Sequence, residues 1–318
     1  MKRIIIVMLT LLASTASSWA QHRSQFSQYI FNQLVINPAY AGSKETLTLN
    51  AFHRTQWTGL KGAPNTQTFS IDGLTKNERI GLGFHATRDE IFAQNRKNLE
   101  VDAAVKLPVS ETGILSFGLA AGISHFAVDG SKLITGNDQM DPAVIAAQKE
   151  TTWSPSLKAG IFYHTERFYA GVSVTDLLGI DKDINYDPER HYFFNIGYVA
   201  DISHNIKVKP SIMLKENFDG PTNVDFNAFF LFGERIWLGA SYRTAMNIFK
   251  NDFEAKGLSS KDALVAMAEL FVTKRMRLGY AYDFTLHGNL NDLSTHEISV
   301  GYSFLKKEPT KMVTPRYF

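Results

Sequence analysis

Apolar residues alternate with small or polar ones along most of this chain, the period-two signature of strands whose two faces meet different surroundings. Ile80, Leu82 and Phe84 share one face, with Gly81 and Gly83 on the other. Val224, Phe226, Ala228, Phe230 and Phe232 lie opposite Asn223, Asp225 and Asn227. Leu99, Val101, Ala103, Val105 and Leu107 alternate with Glu100, Asp102 and Lys106, and Ile298, Val300, Tyr302 and Phe304 with Glu297, Ser299, Gly301 and Ser303. Carboxylates set so regularly against an apolar face do not suit a soluble core. They suit a wall with lipid on one side and a polar lumen on the other.

The alternation predicts about fourteen strands, at 45–54, 66–73, 79–87, 97–108, 113–126, 154–164, 168–175, 191–201, 205–215, 223–232, 235–243, 263–273, 276–284 and 295–304. Most approach the roughly ten residues that a tilted strand needs to cross a bilayer. Their connections alternate in length. Short ones fall at 74–78, 109–112, 165–167, 202–204, 233–234 and 274–275, and longer ones at 55–65, 88–96, 127–153, 176–190, 216–222, 244–262 and 285–294. Tight periplasmic turns and long extracellular loops are the asymmetry of an all-β, transmembrane antiparallel barrel, and this parity starts the barrel on the periplasmic side. Pro210 interrupts 205–215, and Lys261 to Phe271 has helical propensity; it is read as a strand because Leu264, Ala266, Ala268 and Leu270 alternate.

The ends of the chain break the period. Lys2 and Arg3 precede an apolar run from Ile4 to Ala13, and Ser18 and Ala20 take the small-residue positions of a cleavage site, so 1–20 reads as a signal peptide for export to the outer membrane. The mature chain then divides into a segment at 21–44, a barrel at 45–304 and a short basic periplasmic tail at 305–318. In 21–44, Phe26, Tyr29, Ile30, Gln33 and Leu34 recur at helical spacing until Asn37-Pro38 stops them. A plug inside the barrel and a leader against the periplasmic rim fit this segment equally.

Composition narrows the chemistry. There is no Cys, hence no disulfide, thiolate or lipoprotein anchor, and a formal charge of +2 gives no case for nucleic acid. No mature stretch approaches the roughly 18 apolar residues of a membrane helix. Nine His invite a metal, yet none form a His-x-x-x-His or Glu-x-x-His arrangement, and His53, His85, His125 and His164 are placed near strand ends as interfacial or loop residues. Asp129, Asn137, Asp138 and Asp141 offer oxygens without the spacing of a calcium loop. A Gly-x-Ser-x-Gly elbow is absent, and Ser124 with His125, or Ser294 with His296, are read as diverging across a strand. Gly81 and Gly83 read as a small face inside the barrel, and Trp57, Trp153, Tyr169, Tyr198 and Trp237 as an interfacial aromatic girdle. These readings imply neither an enzyme nor a cofactor.

Two longer blocks carry a resemblance. Gln25 to Gly42 reads QFSQYIFNQLVINPAYAG, and Arg54 to Ile71 reads RTQWTGLKGAPNTQTFSI. Together they closely resemble the start and first hairpin of the PorP/SprF family of type IX secretion system membrane proteins. The resemblance, with the barrel pattern and the closing strand at Phe304, extends over essentially the whole mature chain; the tail after Phe304 departs from it. It implies an outer-membrane partner of type IX secretion components that supports export or surface attachment of a large adhesin-like protein carrying a type IX C-terminal domain, in gliding motility or adhesion. No catalytic residues come with it. The matching positions, as structural or partner-binding candidates, are Asn37, Pro38, Tyr40, Gly42, Arg54, Gln56, Trp57, Gly59 and Pro64. Loops 127–153, 176–190 and 244–262 are the expected extracellular docking face, and a porin-like channel is the alternative function.

Overall fold

The structure, a computed structural model, describes residues 26–132, 150–178, 190–218, 220–249, 261–286 and 293–304. The expected signal peptide, the tail at 305–318, Asn137, Asp138 and Asp141, and much of the three long loops lie outside these residues. The strands are β1 (Leu47–Thr55), β2 (Asn65–Leu74), β3 (Ile80–Ile91), β4 (Gln94–Pro108), β5 (Ile114–Val128), β6 (Glu150–His164), β7 (Phe168–Val174), β8 (Tyr192–Tyr198), β9 (Ala200–Ser203), β10 (Ile206–Glu216), β11 (Thr222–Phe232), β12 (Ile236–Met246), β13 (Lys261–Phe271), β14 (Met276–Thr285) and β15 (Ser294–Phe304). Each pairs antiparallel with its neighbours, β15 closes onto β1 from Leu47↔Phe304 to Thr55↔His296, and β8 and β9 share β10 as one stave broken at Val199. The result is a closed barrel of 14 strands.

Alternation decides which residues meet lipid. Leu82, Val101, Leu119, Ile161, Val172, Leu238 and Ile298 are exposed on the outside, while Asn50, Thr68, Asp102, Ser116, Lys158, Asp225 and Glu297 are buried within. This inside-out distribution is that of a membrane barrel. Pro210 faces outward opposite Ala228 without breaking the register. The segment with helical propensity is β13, its Leu264, Ala266 and Leu270 turned outward.

Two connections differ from the sequence expectation. The longer loop expected at 88–96 is a tight turn at Phe92 and Ala93, with Phe92 at φ 51°. Similarly, β6 begins at Glu150, inside the loop expected at 127–153. In both places the ladder runs past the last apolar alternation, through the polar pair Asp89↔Arg96 in one and the mixed pairs Ala127↔Thr151 and Val128↔Glu150 in the other. Strand pairing needs only backbone, so it can outlast the lipid-facing pattern by which the strand is recognised.

The lumen is filled. Residues 27–34 and 36–44, which include two short turns, η1 (Gln28–Phe31) and η2 (Pro38–Tyr40), are buried inside the barrel. Tyr29, Ile30, Phe31 and Ile36 pack on inward Met213, Phe229, Leu231, Trp237 and Val265. Leu34, Ala39, Tyr40 and Ala41 pack against Ala104, Phe162, Tyr169 and Val199 on the other wall. An apolar core therefore forms within a polar barrel, between plug and wall.

Candidate functional site

The Asn-Pro-Ala-Tyr-Ala-Gly stretch works as a tight turn pressed into a wall of glycines. Asn37 caps η2, its Oδ1 accepting from the Ala39 amide at 3.0 Å, while its Nδ2 donates to the carbonyls of Ile161 at 3.0 Å and Val172 at 3.4 Å, where β6 meets β7. Pro38 follows at the first position of the turn, where a missing N–H is harmless. Tyr40 is fully buried, edge-on to Phe162 at 5.4 Å, and burial pushes its phenol well above the usual range. Gly42, at φ +68°, donates its amide to Asp72 Oδ2 at 2.9 Å. A Cβ on Gly81 would strike the Ala41 carbonyl, one on Gly118 the Ala39 backbone, and one on Gly160 the Asn37 amide group. The small inward face expected at Gly81 and Gly83 is thus the plug's seat.

Arg54 holds the other end of the plug. Its guanidinium lies 2.8 Å from Asp283 Oδ2 and 3.1 Å from Glu297 Oε2 and donates to Ser27 Oγ at 2.9 Å. Glu297 accepts from the amides of Ser27 at 2.8 Å and Gln28 at 2.9 Å, and Gln28 Oε1 accepts from Ser299 at 2.6 Å. Arg243 continues the array at 3.6 Å from Asp283 and 3.2 Å from Asp225, and Lys215 meets Asp225 at 2.8 Å. Arg54, Arg243 and Lys215 thus face Asp225, Asp283 and Glu297 in a water-poor interior, where each charge needs its partner.

The nine candidate positions fall into two groups. Asn37, Pro38, Tyr40, Gly42 and Arg54 belong to the filled lumen. Gln56, Trp57, Gly59 and Pro64 form the β1–β2 loop at the long-loop end: the Gln56 amide donates to the Pro64 carbonyl at 2.9 Å, and the Trp57 amide to Thr295 Oγ1 at 3.1 Å. Trp57 at φ 48° and Gly59 at φ +99° hold left-handed backbone. Pro64 is buried, whereas Gly59 is exposed, with open space where a Cβ would stand.

Several sequence readings need correction. His85 is fully buried in the lumen, not interfacial: Nδ1 lies 2.8 Å from Asp102 and Nε2 2.5 Å from Glu100. Lys158 joins Glu100 at 2.5 Å and donates to the Val35 carbonyl at 3.3 Å, so this cluster also holds the plug. Tyr169 and Trp237 are lumen residues rather than girdle, since they share parity with Gly171 and Gly239. Trp153 and Tyr198 are exposed as expected. Ser294 and His296 do not diverge: two residues apart on β15, they share a face, with Ser294 Oγ 3.2 Å from His296 Nε2 and the Tyr280 hydroxyl 2.8 Å from Nδ1. Among the described residues, no set of three His, Cys, Asp or Glu is placed to hold a metal ion. Glu100, Asp102, Asp225 and Glu297 were visible as the polar face of their strands, but their partners across the lumen depend on register and on the plug's path.

Burial and the nearby Arg277 guanidinium pull the Lys44 ammonium down to about 7, and it donates to the Phe31 carbonyl at 2.9 Å. Only a small hollow, with room for about one water, remains beside the plug, lined by Phe26, Tyr29, Asn32, Val35, Ile36, Phe52 and Thr68.

Residues 18–302 match the family described as type IX secretion system membrane protein PorP/SprF. No curated protein sequence matches the chain. Among solved structures, the CymD monoaromatic hydrocarbon channel aligns with TM-score 0.50 at 13% identity, covering 89% of this chain and 94% of its own. The Ralstonia pickettii toluene transporter TbuX aligns with TM-score 0.50 at 9% identity, covering 86% and 93%. At these identities the likeness is one of fold.

Proposed function

From the PorP/SprF family of type IX secretion system membrane proteins, to which this chain belongs, we propose that it acts as a sealed docking barrel in the outer membrane. It binds type IX components and supports export or surface attachment of a large adhesin-like protein carrying a type IX C-terminal domain, and it does not conduct solutes. The observation that carries this reading is the way the plug is held. Residues 27–42 bond to β14 and β15 through Ser27 and Gln28, to β6 and β7 through Asn37, to β8 through Gln33 and to β2 through Gly42. A passage for solutes would require these buried bonds to break together, each at about 0.5–1.5 kcal/mol net and more where a charge is involved.

With the lumen closed, the surfaces left for function are the two rims. The long-loop rim carries the Gln56–Pro64 loop and the expected docking loops at 127–153, 176–190 and 244–262. The names of the similar structures favour the channel reading, and one experiment separates the two. The tagged protein is purified from detergent-solubilised outer membranes, its co-purifying proteins are identified by mass spectrometry, and it is reconstituted in planar bilayers. Recovery of a large surface protein or periplasmic type IX components, with no conductance, is expected. A barrel recovered alone that conducts would overturn the proposal.

A further inference from the structure

At the short-turn end, an arginine immediately precedes four of the ascending strands: Arg79 before β3, Arg167 before β7, Arg235 before β12 and Arg275 before β14. All four make the same backbone bond. Their carbonyls accept from the amides of Lys106 at 2.8 Å, Val199 at 2.7 Å, Phe271 at 2.9 Å and Ser303 at 2.8 Å. Each donor is a buried, lumen-facing residue. Residues opposite one another in an antiparallel ladder share a face, so each arginine stands on the inner side of the rim. Two residues further along each strand, Gly81, Tyr169, Trp237 and Arg277 lie on the same inner face.

The arginines are not used up within the barrel. Arg167 pairs with Asp201 at 2.5 Å, and Asp201 also takes Lys207 at 2.6 Å. Arg79, Arg235 and Arg275 have no ion pair among the described residues; the first two are exposed and the third is half-buried. Glu78, Glu166 and Glu234 stand one residue earlier, in the turns, with Glu78 at φ 58° and Glu234 at φ 56°. Lys76, Glu111, His204 and Lys274 complete the charged residues of these turns.

Spacing selects the occupant. Three staves separate β3 from β7, and three separate β7 from β12, with one more between β12 and β14. Strands lie about 4.8 Å apart, so the wider steps are roughly 20 Å along the wall. Arg235 and Arg275, about 10 Å apart, could share one anion, but no small anion or single lipid phosphate spans the wider steps to Arg79 and Arg167, and their inner register turns them away from the bilayer. We infer that the periplasmic mouth is a docking surface for the acidic face of a periplasmic polypeptide broad enough to lie across it. This rests on the docking reading above and names its periplasmic surface and the partner's chemistry.

The test uses the full-length protein in phosphatidylcholine nanodiscs, with fluorescent poly-L-glutamate as probe, read by anisotropy across a salt series. Arg79→Glu with Arg235→Glu changes exposed turn residues and is compared with Arg88→Glu plus Lys97→Glu at the opposite end; heat-modifiable gel migration verifies folding. Binding that weakens with salt and falls about tenfold in the first pair, with less than about twofold change in the second, supports the inference. No salt-sensitive binding, or equal loss in both pairs, overturns it, as does a loss seen only when phosphatidylglycerol is present, which would assign the arginines to headgroups. In cells, secretion that fails on gene deletion but survives the first pair rejects this surface and leaves the docking reading standing. Secretion that survives gene deletion rejects the docking reading itself.

Discussion

The two blocks that resemble the PorP/SprF family meet at β1 and do opposite things on either side of it. Inward, Asn37 to Gly42 and Arg54 are buried and bonded, packed so closely that the facing wall is glycine at 81, 118 and 160. Outward, Gln56 to Pro64 forms a loop with left-handed backbone at Trp57 and Gly59 and an exposed tip. The inner half is shaped by what it touches within the chain. The outer half is held through its backbone, the Thr58 amide meeting the Ser294 carbonyl at 2.7 Å, Leu60 bonding back to Trp57 at 3.0 Å and the Phe92 amide to the Gly62 carbonyl at 2.9 Å, which leaves residues 58–62 exposed. The two blocks together therefore combine filling and presentation, and substitutions should separate the two.

Arg54→Met is expected to have the largest effect. It strips Asp283 and Glu297 of their closest cation and should cost about 3–5 kcal/mol, read as a lower melting temperature of the purified barrel and less heat-modifiable protein in the membrane. Gly81→Val comes next: its side chain enters the space of the Ala41 carbonyl, costing about 1–3 kcal/mol, and should loosen the plug enough for channel events to appear in planar bilayers. A silent bilayer from a folded Gly81→Val barrel would show that the seat tolerates bulk. Trp57→Ala should shift stability by less than about 1 kcal/mol while reducing co-purification of the surface partner; if partner recovery is unchanged, the outer half of the signature does not present a binding surface. The smallest effect concerns Lys44. Its ammonium is lowered from 10.5 to about 7 on folding, so the burden of charging it is fully present below about pH 7 and fades as pH rises toward 10.5. Melting temperature should therefore rise between pH 7 and 10 more in the wild type than in Lys44→Met, and parallel curves would refute the shift.

Strand positions were legible because lipid on one side and a polar lumen on the other write a period of two into the sequence. Even β13 could be read, since Leu264 and Leu270 obey that period despite helical propensity. The pattern loses authority where the wall no longer meets lipid, as at Asp89 and Arg96, and it does not say which face an aromatic near a strand end will take, as Tyr169 and Trp237 show. The site was half legible. Its residues stood out as a block, and the glycines stood out as a small face, but nothing local says that one is the mould of the other. His85 illustrates the limit: Glu100 stands opposite it on β4 and Lys158 reaches it from β6, neighbours that only the register of the strands brings together.

Ser27 and Gln28, near the start of the described chain, bind Glu297 on β15, the last strand in sequence, and Arg54 on β1 reaches across the closing seam to the same carboxylate. A ring that zipped shut without its N-terminal segment would enclose unmatched charge in a hollow, while a segment arriving after closure would have to thread past the bonded wall it is meant to fit. Seam closure and lumen filling therefore draw on the same carboxylate, and the barrel's two ends are tied together by the segment that fills it.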